Sequence, residues 1–146
     1  MSIPATIAVG YDGSPSAQAA LAWTFRLARA SDATVIVVHA VGLLARYEGE
    51  REGEGVSLEL EQSVGQLAED VDFDTTHLRW MVANGDACSV MLRTIDDPVR
   101  ADLLVVGSRG QGAHAGLLLG STSLQLAERA QVPLVIVPME RHLDEW

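Results

Sequence analysis

The sequence contains no lysine and a single cysteine, and both shortages exclude classes of function. All ten basic residues are arginine, so the chain has neither a P-loop lysine for nucleotide phosphates nor a lysine that could form a Schiff base. Cys88 alone cannot form an internal disulfide or a multi-cysteine zinc site, and we interpret it as a buried, unreactive thiol. The four histidines lie at spacings that match no zinc site.

Long apolar runs and excess positive charge are also missing. No window approaches the roughly 18 consecutive apolar residues of a membrane span, and the first residues lack the basic start and apolar block of a secretion signal. We therefore expect no membrane partner and a cytoplasmic location. The formal net charge of -10 opposes binding to nucleic acid, whose phosphates require a dense field of arginine or lysine.

The length and composition fit one domain covering residues 1–146. A chain that is 48% hydrophobic can bury an ordinary core, and there is little room for a second one. Four short apolar runs, rich in β-branched residues, predict strands buried on both faces. They begin at Thr6, Thr34, Asp102 and Pro133, and a more alternating run from Thr76 predicts a strand at the edge of the sheet.

Helical patterns separate these strands. The first helix is predicted from Ser14, placed as its N-cap, with Pro15 at the first helical position. The others are predicted at about 57–70, at about 87–97 and from Ser121 onward, with Leu58, Leu124 and Ala127 among the residues of their apolar stripes. Strands alternating with helices predict an α/β fold with a doubly wound parallel sheet. Such sheets bind ligands beyond the carboxyl ends of their strands.

One glycine-rich segment, GSRGQGAHAGLLLGSTS at residues 107–123, joins the fourth strand to the last helix. Glycines without a Cβ let a phosphate or sugar approach main-chain amides, and the first turn of the following helix favours an anion. The glycines concerned are Gly107, Gly110 and Gly120, and the helix opens with Ser121, Thr122 and Ser123. A flexible turn would also use glycine. The order strand, G-x-x-G, nine residues, G-S, helix is more restrictive than a turn requires.

Five stretches of the chain match one known family. The glycine-rich segment fits a G-x2-G-x9-G-[S/T] pattern without an insertion, and the other stretches are VGYDGSPSAQAAL, VIVVHAV, ADLLVVGSRG and QVPLVIVP. Together they resemble the universal stress protein family over essentially the whole chain. The resemblance implies a Rossmann-like five-stranded sheet in the order 3-2-1-4-5, helices on both faces, and ATP, with Mg²⁺, in the cleft. One departure is Ala87, at a position where relatives often have proline.

The resemblance also implies roles for individual residues. Adenosine would contact Gly10, Tyr11, Asp12 and Ala40, and the ribose would lie against Val106 and Gly107. The phosphates would be held by Gly110, Gly120, Ser121 and Thr122, with Ser123 close by. Arg109, between two glycines of the motif, is a candidate for contact with a phosphate through its fixed charge, although family members vary at that position.

Several of these residues have a plainer interpretation. Asp12 at the end of a strand can accept hydrogen bonds from a ribose or an adenine amine, or it can serve the turn in YDGS, and the residues alone leave both open. Asp86 is expected to cap a helix rather than face the cleft. We interpret His39 as a satisfied core histidine. His114 lies in the glycine-rich segment but has no orienting carboxylate at a useful spacing, so no catalytic residue is expected.

Two further segments carry alternatives. Residues 42–57 are expected to be a solvated connector, with a lid over the ligand as the other possibility. The resemblance implies a homodimer formed through the fifth strand, residues 132–138, and a sheet edge of this kind needs a cover. Helices and the C-terminal residues 139–146 folding over it would be the other cover.

Three functions remain open at this point. The first is a regulatory protein of the stress response that senses or sequesters ATP. The second is a slow ATPase or phosphoryl-transfer enzyme, whose cleft lacks an evident base and the P-loop lysine. The third is a binder of another adenine nucleotide, AMP or cyclic AMP.

Overall fold

The computed structural model describes residues 3–41, 58–109 and 119–139. Its strands are β1 (Thr6–Gly10), β2 (Thr34–Val41), β3 (Leu78–Asn84), β4 (Leu103–Gly107) and β5 (Leu134–Val137). In this part of the chain they form one parallel sheet in the order β3-β2-β1-β4-β5. The predicted fold class and strand order are confirmed, and β3, the most weakly patterned strand, lies at an edge.

The described helices cover both faces of the sheet. They are α1 (Pro15–Ser31), α2 (Leu58–Val71), α3 (Ala87–Arg93) and α4 (Ser121–Arg129). Helices α1 and α2 share one buried cluster with Ile7 and Val9, whereas α3 and α4 share another with Ala8. Successive residues of β1 therefore point to opposite apolar layers, because side chains alternate along a strand.

Helix α1 begins and ends where its sequence indicates. The Oγ of Ser14 accepts a hydrogen bond from the amide of Ala17 at 3.2 Å, and Pro15 occupies the first turn. At the other end Asp32 adopts a left-handed conformation with φ of 57° and donates its amide to Ala28, an arrangement that satisfies a terminal carbonyl. Phe25 is fully buried on the inner face and stacks on Phe73, with ring centroids 4.6 Å apart.

The prediction for α3 was too long at its C-terminal end. It was expected to continue to about residue 97, but the α-helix ends at Arg93. The amides of Thr94, Ile95 and Asp96 each bond to the carbonyl three residues earlier, so the last turn is tightened into 3₁₀ geometry. The hydroxyl of Thr94, which is buried, donates to the carbonyl of Met91 at 2.6 Å.

Three residues expected in apolar stripes are exposed instead. Leu58 at the start of α2 is 68% exposed and Leu124 in α4 is 49% exposed, while Ala127 is also exposed. Helix α4 contacts α3 and β5 at the side of the sheet. Only a narrow face is therefore covered, and Ser123 and Leu126 occupy it.

The edge strand β5 is less buried than the central strand β1. Ile7, Ala8 and Val9 in β1 have no exposed surface, whereas every residue of β5 is half-buried.

Within the described ranges, no helix is long and apolar enough to cross a membrane.

Candidate functional site

The carboxyl ends of β1, β2 and β4 meet along one edge of the sheet. These strands are parallel neighbours, with Gly10 opposite Val38 and Val9 opposite Val105. From β1 the chain crosses to β2 through α1 on one face, and β4 continues into α4 on the other. The strand order reverses between β1 and β4, so this edge is the topological switch point where doubly wound sheets bind ligands.

The β4 exit, residues 107–109, is bonded to three other elements. The amide of Arg109 donates to the Oγ of Ser16 in α1 at 3.1 Å. The hydroxyl of Ser123 in α4 donates to the carbonyl of Gly107 at 2.8 Å. The amide of Ser108 donates to the carbonyl of Val137 in β5 at 2.9 Å. The N-terminal turns of α1 and α4 therefore meet at the end of one strand.

Gly107 is required by a contact within the protein. A Cβ at this position would lie 2.7 Å from both the carbonyl carbon and the carbonyl oxygen of Ser16, and such distances to backbone atoms are not tolerated. Sequence reasoning assigned the missing side chain to the approach of a sugar or phosphate. The structure shows that the Cβ direction of Gly107 is occupied by the first turn of α1.

Gly120 closes the glycine-rich segment. Its amide donates to the carbonyl of Ser108 at 2.6 Å, which joins the two ends of that segment. The amide of Gly120 is therefore engaged within the protein. The following amides in the first turn of α4, those of Ser121, Thr122 and Ser123, have no intrahelical acceptor. Because Ser123 is buried and its hydroxyl bonds to Gly107, the accessible positions of this turn are Ser121 and Thr122.

Asp12 follows β1 at the same edge and forms the predicted turn. One of its carboxylate oxygens accepts a hydrogen bond from the amide of Ser14 at 2.9 Å. Gly13 between them has φ of +81°, which a residue with a side chain rarely adopts. Asp12 itself is half-buried, so the turn places a carboxylate beside the end of the strand.

Tyr11 is buried beneath α2. Its side chain is 3% exposed, and its hydroxyl forms a short hydrogen bond with the hydroxyl of Ser63. Burial raises the pKa of the phenol above its ordinary value, and the nearby carboxylate of Asp12 adds to the rise, while the bond to Ser63 acts in the opposite direction. The side chain expected to line the adenosine wall therefore packs in the core. The amide of Tyr11 donates to the carbonyl of Val38 at 2.9 Å.

The remaining predicted site residues differ in their exposure. Gly10, Ala40 and Arg109 are half-buried at the carboxyl edge, and a Cβ on Gly10 would only touch Met91 and Val106 at 3.4 Å. Val106 is buried, with 4% exposed. Gly110 and His114 lie outside the described residues, as do the predicted connector at 42–57 and residues 140–146.

Three side chains that were weighed for other roles have structural partners. Asp86 caps α3, and hydrogen bonds from the amide and then the hydroxyl of Ser89 hold the pKa of its carboxyl below the ordinary value. The Nδ1 of half-buried His39 lies 3.1 Å from the carbonyl oxygen of Tyr11. Cys88 is a buried free thiol, 3.8 Å from a guanidinium nitrogen of Arg129. No group of three potential ligands among the described side chains could hold a metal ion.

Sequence reasoning missed Ser16 and Ser108. Ser16 sits in the first turn of a helix, where a serine normally indicates a cap, and that role belongs to Ser14. Its actual partner is 93 residues away in the sequence. No local pattern predicts such a contact, although a glycine at the end of a buried strand is a signal that another backbone comes close.

Fold and site together define a Rossmann-like, doubly wound α/β domain with its site at the switch point between β1 and β4. The sequence profile of the universal stress protein family matches residues 5–138. The chain therefore belongs to the universal stress protein family.

Relatives and solved structures agree with this assignment. A universal stress protein of Thermus aquaticus is 32% identical over 135 residues, which cover 90% of this chain and 97% of that protein. One from Mycolicibacterium smegmatis is 31% identical over 140 residues, with 90% of this chain covered, but the chain spans about half of that relative, 47%.

Among solved structures, a universal stress protein in complex with cAMP superposes with a TM-score of 0.72 at 27% identity, covering 95% of this chain and 100% of that one. UspA of Lactobacillus plantarum has a TM-score of 0.66 at 17% identity, covering 91% and 97%, and shows the same fold.

Gly107→Ala should destabilise the protein by about 1–3 kcal/mol, because the new methyl group would force α1 away from β4. The matched control is Gly65→Ala in α2, where a Cβ meets nothing within 4 Å. That variant should gain roughly 0.5–1 kcal/mol from the better helix propensity of alanine. The free energy of unfolding in urea is measured for both variants and for the unchanged protein. Equal stability of Gly107→Ala and the unchanged protein would show that α1 does not approach β4 this closely.

Proposed function

We propose that this protein is a cytoplasmic regulatory protein of the stress response that binds an adenine nucleotide, ATP in the first place. The observation that carries the proposal is the junction of β4 and α4 at the switch point of the sheet. The hydrogen bond from the amide of Gly120 to the carbonyl of Ser108 joins the end of the strand to the start of the helix, and the first turn of α4 lies at this junction.

The proposed contacts follow from which groups the fold leaves for a ligand. The phosphates would lie at the first turn of α4, where the amides and hydroxyls of Ser121 and Thr122 and the positive end of the helix dipole favour an anion. Gly110 and the side chain of Arg109 complete this half of the proposed site. Because the whole chain carries a formal charge of -10, these local donors have to offset an unfavourable overall field.

The nucleoside would lie against the ends of β1 and β2. There Gly10 and Ala40 offer little side-chain bulk, and the carboxylate of Asp12 can accept a hydrogen bond from a ribose hydroxyl. The main chain of Tyr11, rather than its ring, would line this wall, while Val106 and Gly107 would support the ribose. Mg²⁺ would arrive with the nucleotide and reduce its repulsion from the acidic protein.

Cyclic AMP is a second candidate ligand. The solved relative at 27% identity was crystallised with that nucleotide, and cyclic AMP needs the same adenosine wall but a smaller phosphate site.

Slow hydrolysis of ATP is the enzymatic alternative. Measuring phosphate release over time separates a binder from an enzyme, and comparing ATP with AMP and cyclic AMP identifies the preferred ligand.

Asp12→Asn should weaken nucleotide binding by about tenfold or more, since a hydrogen bond to a charged group contributes roughly 1.5–3 kcal/mol. The amide oxygen of asparagine can still accept from Ser14, so the turn is kept. Asp102→Asn is the matched control, because Asp102 bonds to the amides of Ala5 and Thr6 at the start of β1, the opposite end of that strand. Isothermal titration calorimetry with ATP, AMP and cyclic AMP measures the affinities.

Two results of that titration would contradict the proposal. One is unchanged affinity in Asp12→Asn, and the other is no binding of any of the three nucleotides to the unchanged protein.

Gly120→Val tests the phosphate half of the proposed site separately. Gly120 has φ of -74° and ψ of 166°, a conformation open to valine, so a loss of affinity in a variant that unfolds in urea like the unchanged protein would reflect an obstructed helix end.

We also propose that two copies pair through β5 and its flanks, residues 132–138. The carbonyls of Pro133 and Val137 accept from the amides of Leu104 in β4 and Ser108 just after it. Because hydrogen-bonding directions alternate along a strand, the amide of Ile136 points away from β4. All four residues of β5 are half-buried, and Leu124 and Met139 are large exposed apolar residues. An apolar edge strand of this kind favours a second copy as its cover.

Ile136→Pro should therefore convert the dimer to a monomer, whereas Ile136→Ala should leave most of it dimeric. Both changes remove the isoleucine side chain, but only proline removes the amide that points outward. Light scattering at roughly micromolar concentration gives the molar mass of each variant in solution and so distinguishes monomer from dimer. A monomeric unchanged protein, or two variants that dissociate equally, would argue against pairing through this edge.

A further inference from the structure

We propose that Ser16 is a positioning residue that orients the start of the glycine-rich segment for nucleotide phosphates. It does so through the hydrogen bond from the amide of Arg109 to its Oγ, 3.1 Å long. This inference rests on the proposed nucleotide-binding function. It adds a residue from α1 to a site whose phosphate half was expected to come from residues 107–123 alone.

The environment of Ser16 fixes its hydroxyl. The residue is 2% exposed, although it lies in the first turn of a helix at the surface end of the sheet. The neighbouring turn is held by Ser14, which accepts from Ala17, so Ser16 is not the cap of α1. The buried hydroxyl of Ser16 holds the amide of Arg109 in place. Neither group could form a hydrogen bond to water instead without a cost in free energy.

Gly107 keeps the two backbones close enough for this bond. With a Cβ at position 107, the contact with the carbonyl group of Ser16 would be too short, and α1 would have to move outward. Gly107 and Ser16 therefore depend on each other to form this contact between β4 and α1. The glycine permits the approach, and the serine uses it to hold the amide two residues further along the chain.

The same short stretch is held from the other face of the sheet. Ser123 in α4 donates to the carbonyl of Gly107, and Gly120 donates to the carbonyl of Ser108. With Ser16 on one side and α4 on the other, the main chain that leaves β4 has its direction fixed at three consecutive residues. The segment that follows thus starts and ends at defined positions.

This arrangement assigns the amide of Arg109 a structural role. Because that amide donates to Ser16, the contribution of Arg109 to a phosphate would come from its guanidinium. Losing the bond would leave residues 107–109 free to sample other directions, and ordering them again on binding would reduce affinity. The expected loss is about 2- to 10-fold, the range that one net hydrogen bond represents.

The test compares Ser16→Ala with Ser31→Ala. The hydroxyl of Ser31 bonds to the carbonyl of Leu27 within the same helix, so the control removes a serine hydroxyl far from the site. Two quantities are measured: the affinity for ATP by calorimetry, and the hydrogen exchange of the Arg109 amide by NMR in protein without nucleotide. Ser16→Ala should bind ATP about 2- to 10-fold more weakly and exchange the Arg109 amide faster, while Ser31→Ala changes neither.

Each outcome has a distinct meaning. Unchanged affinity together with unchanged exchange at Arg109 would overturn this inference while leaving nucleotide binding intact. Faster exchange with unchanged affinity would also overturn it, because the bond would then be purely structural. If the unchanged protein does not bind ATP, the proposed function fails and this role fails with it. Should Ser16→Ala not fold, Ser16→Cys keeps a polar group at the same position and replaces the oxygen with a larger sulfur that accepts hydrogen bonds only weakly, so the same comparison applies.

Discussion

The close approach of α1 to the end of β4 is the contact on which the rest of the site depends. It is possible because Gly107 has no side chain where the carbonyl of Ser16 lies. Once α1 is this close, its first turn bonds to Arg109, and α4 and β5 bond to Gly107 and Ser108. Helix α1, which is distant in sequence, thus meets β4, α4 and β5 at three residues of the switch point.

The fold followed from the sequence because its central strands, β1, β2 and β4, are largely buried. Runs such as TVIVVHAV carry the signal of a parallel sheet in their own composition, and β2 occupies the predicted residues, Thr34–Val41. Helix ends were harder to predict. The end of α3 at Arg93 depends on the buried hydroxyl of Thr94 and on a chain of short turns, and Leu124 is exposed because α4 rests on the side of the sheet.

The sequence indicated where the candidate site lies in the fold but not the contacts that its residues make. The motif spacing identified the segment between β4 and α4, and the strand pattern identified the edge at which Asp12 and Ala40 lie. The roles of the glycines could not be read from the motif, because the neighbour that makes Gly107 necessary is Ser16, far away in the chain. Likewise, the resemblance placed Tyr11 against adenosine but did not indicate that its hydroxyl bonds to Ser63 beneath α2.

We propose that the first turn of α4, next to the β4 exit, presents main-chain donors to nucleotide phosphates. The most direct measurement is an NMR titration of the isotope-labelled protein with ATP, followed at individual amides. The account predicts that the largest shifts occur at Ser121 and Thr122, with further shifts near Asp12, while Ala5 and Thr6 at the opposite end of β1 stay unchanged. Saturable shifts confined to any other surface, or no shifts at all, would contradict it.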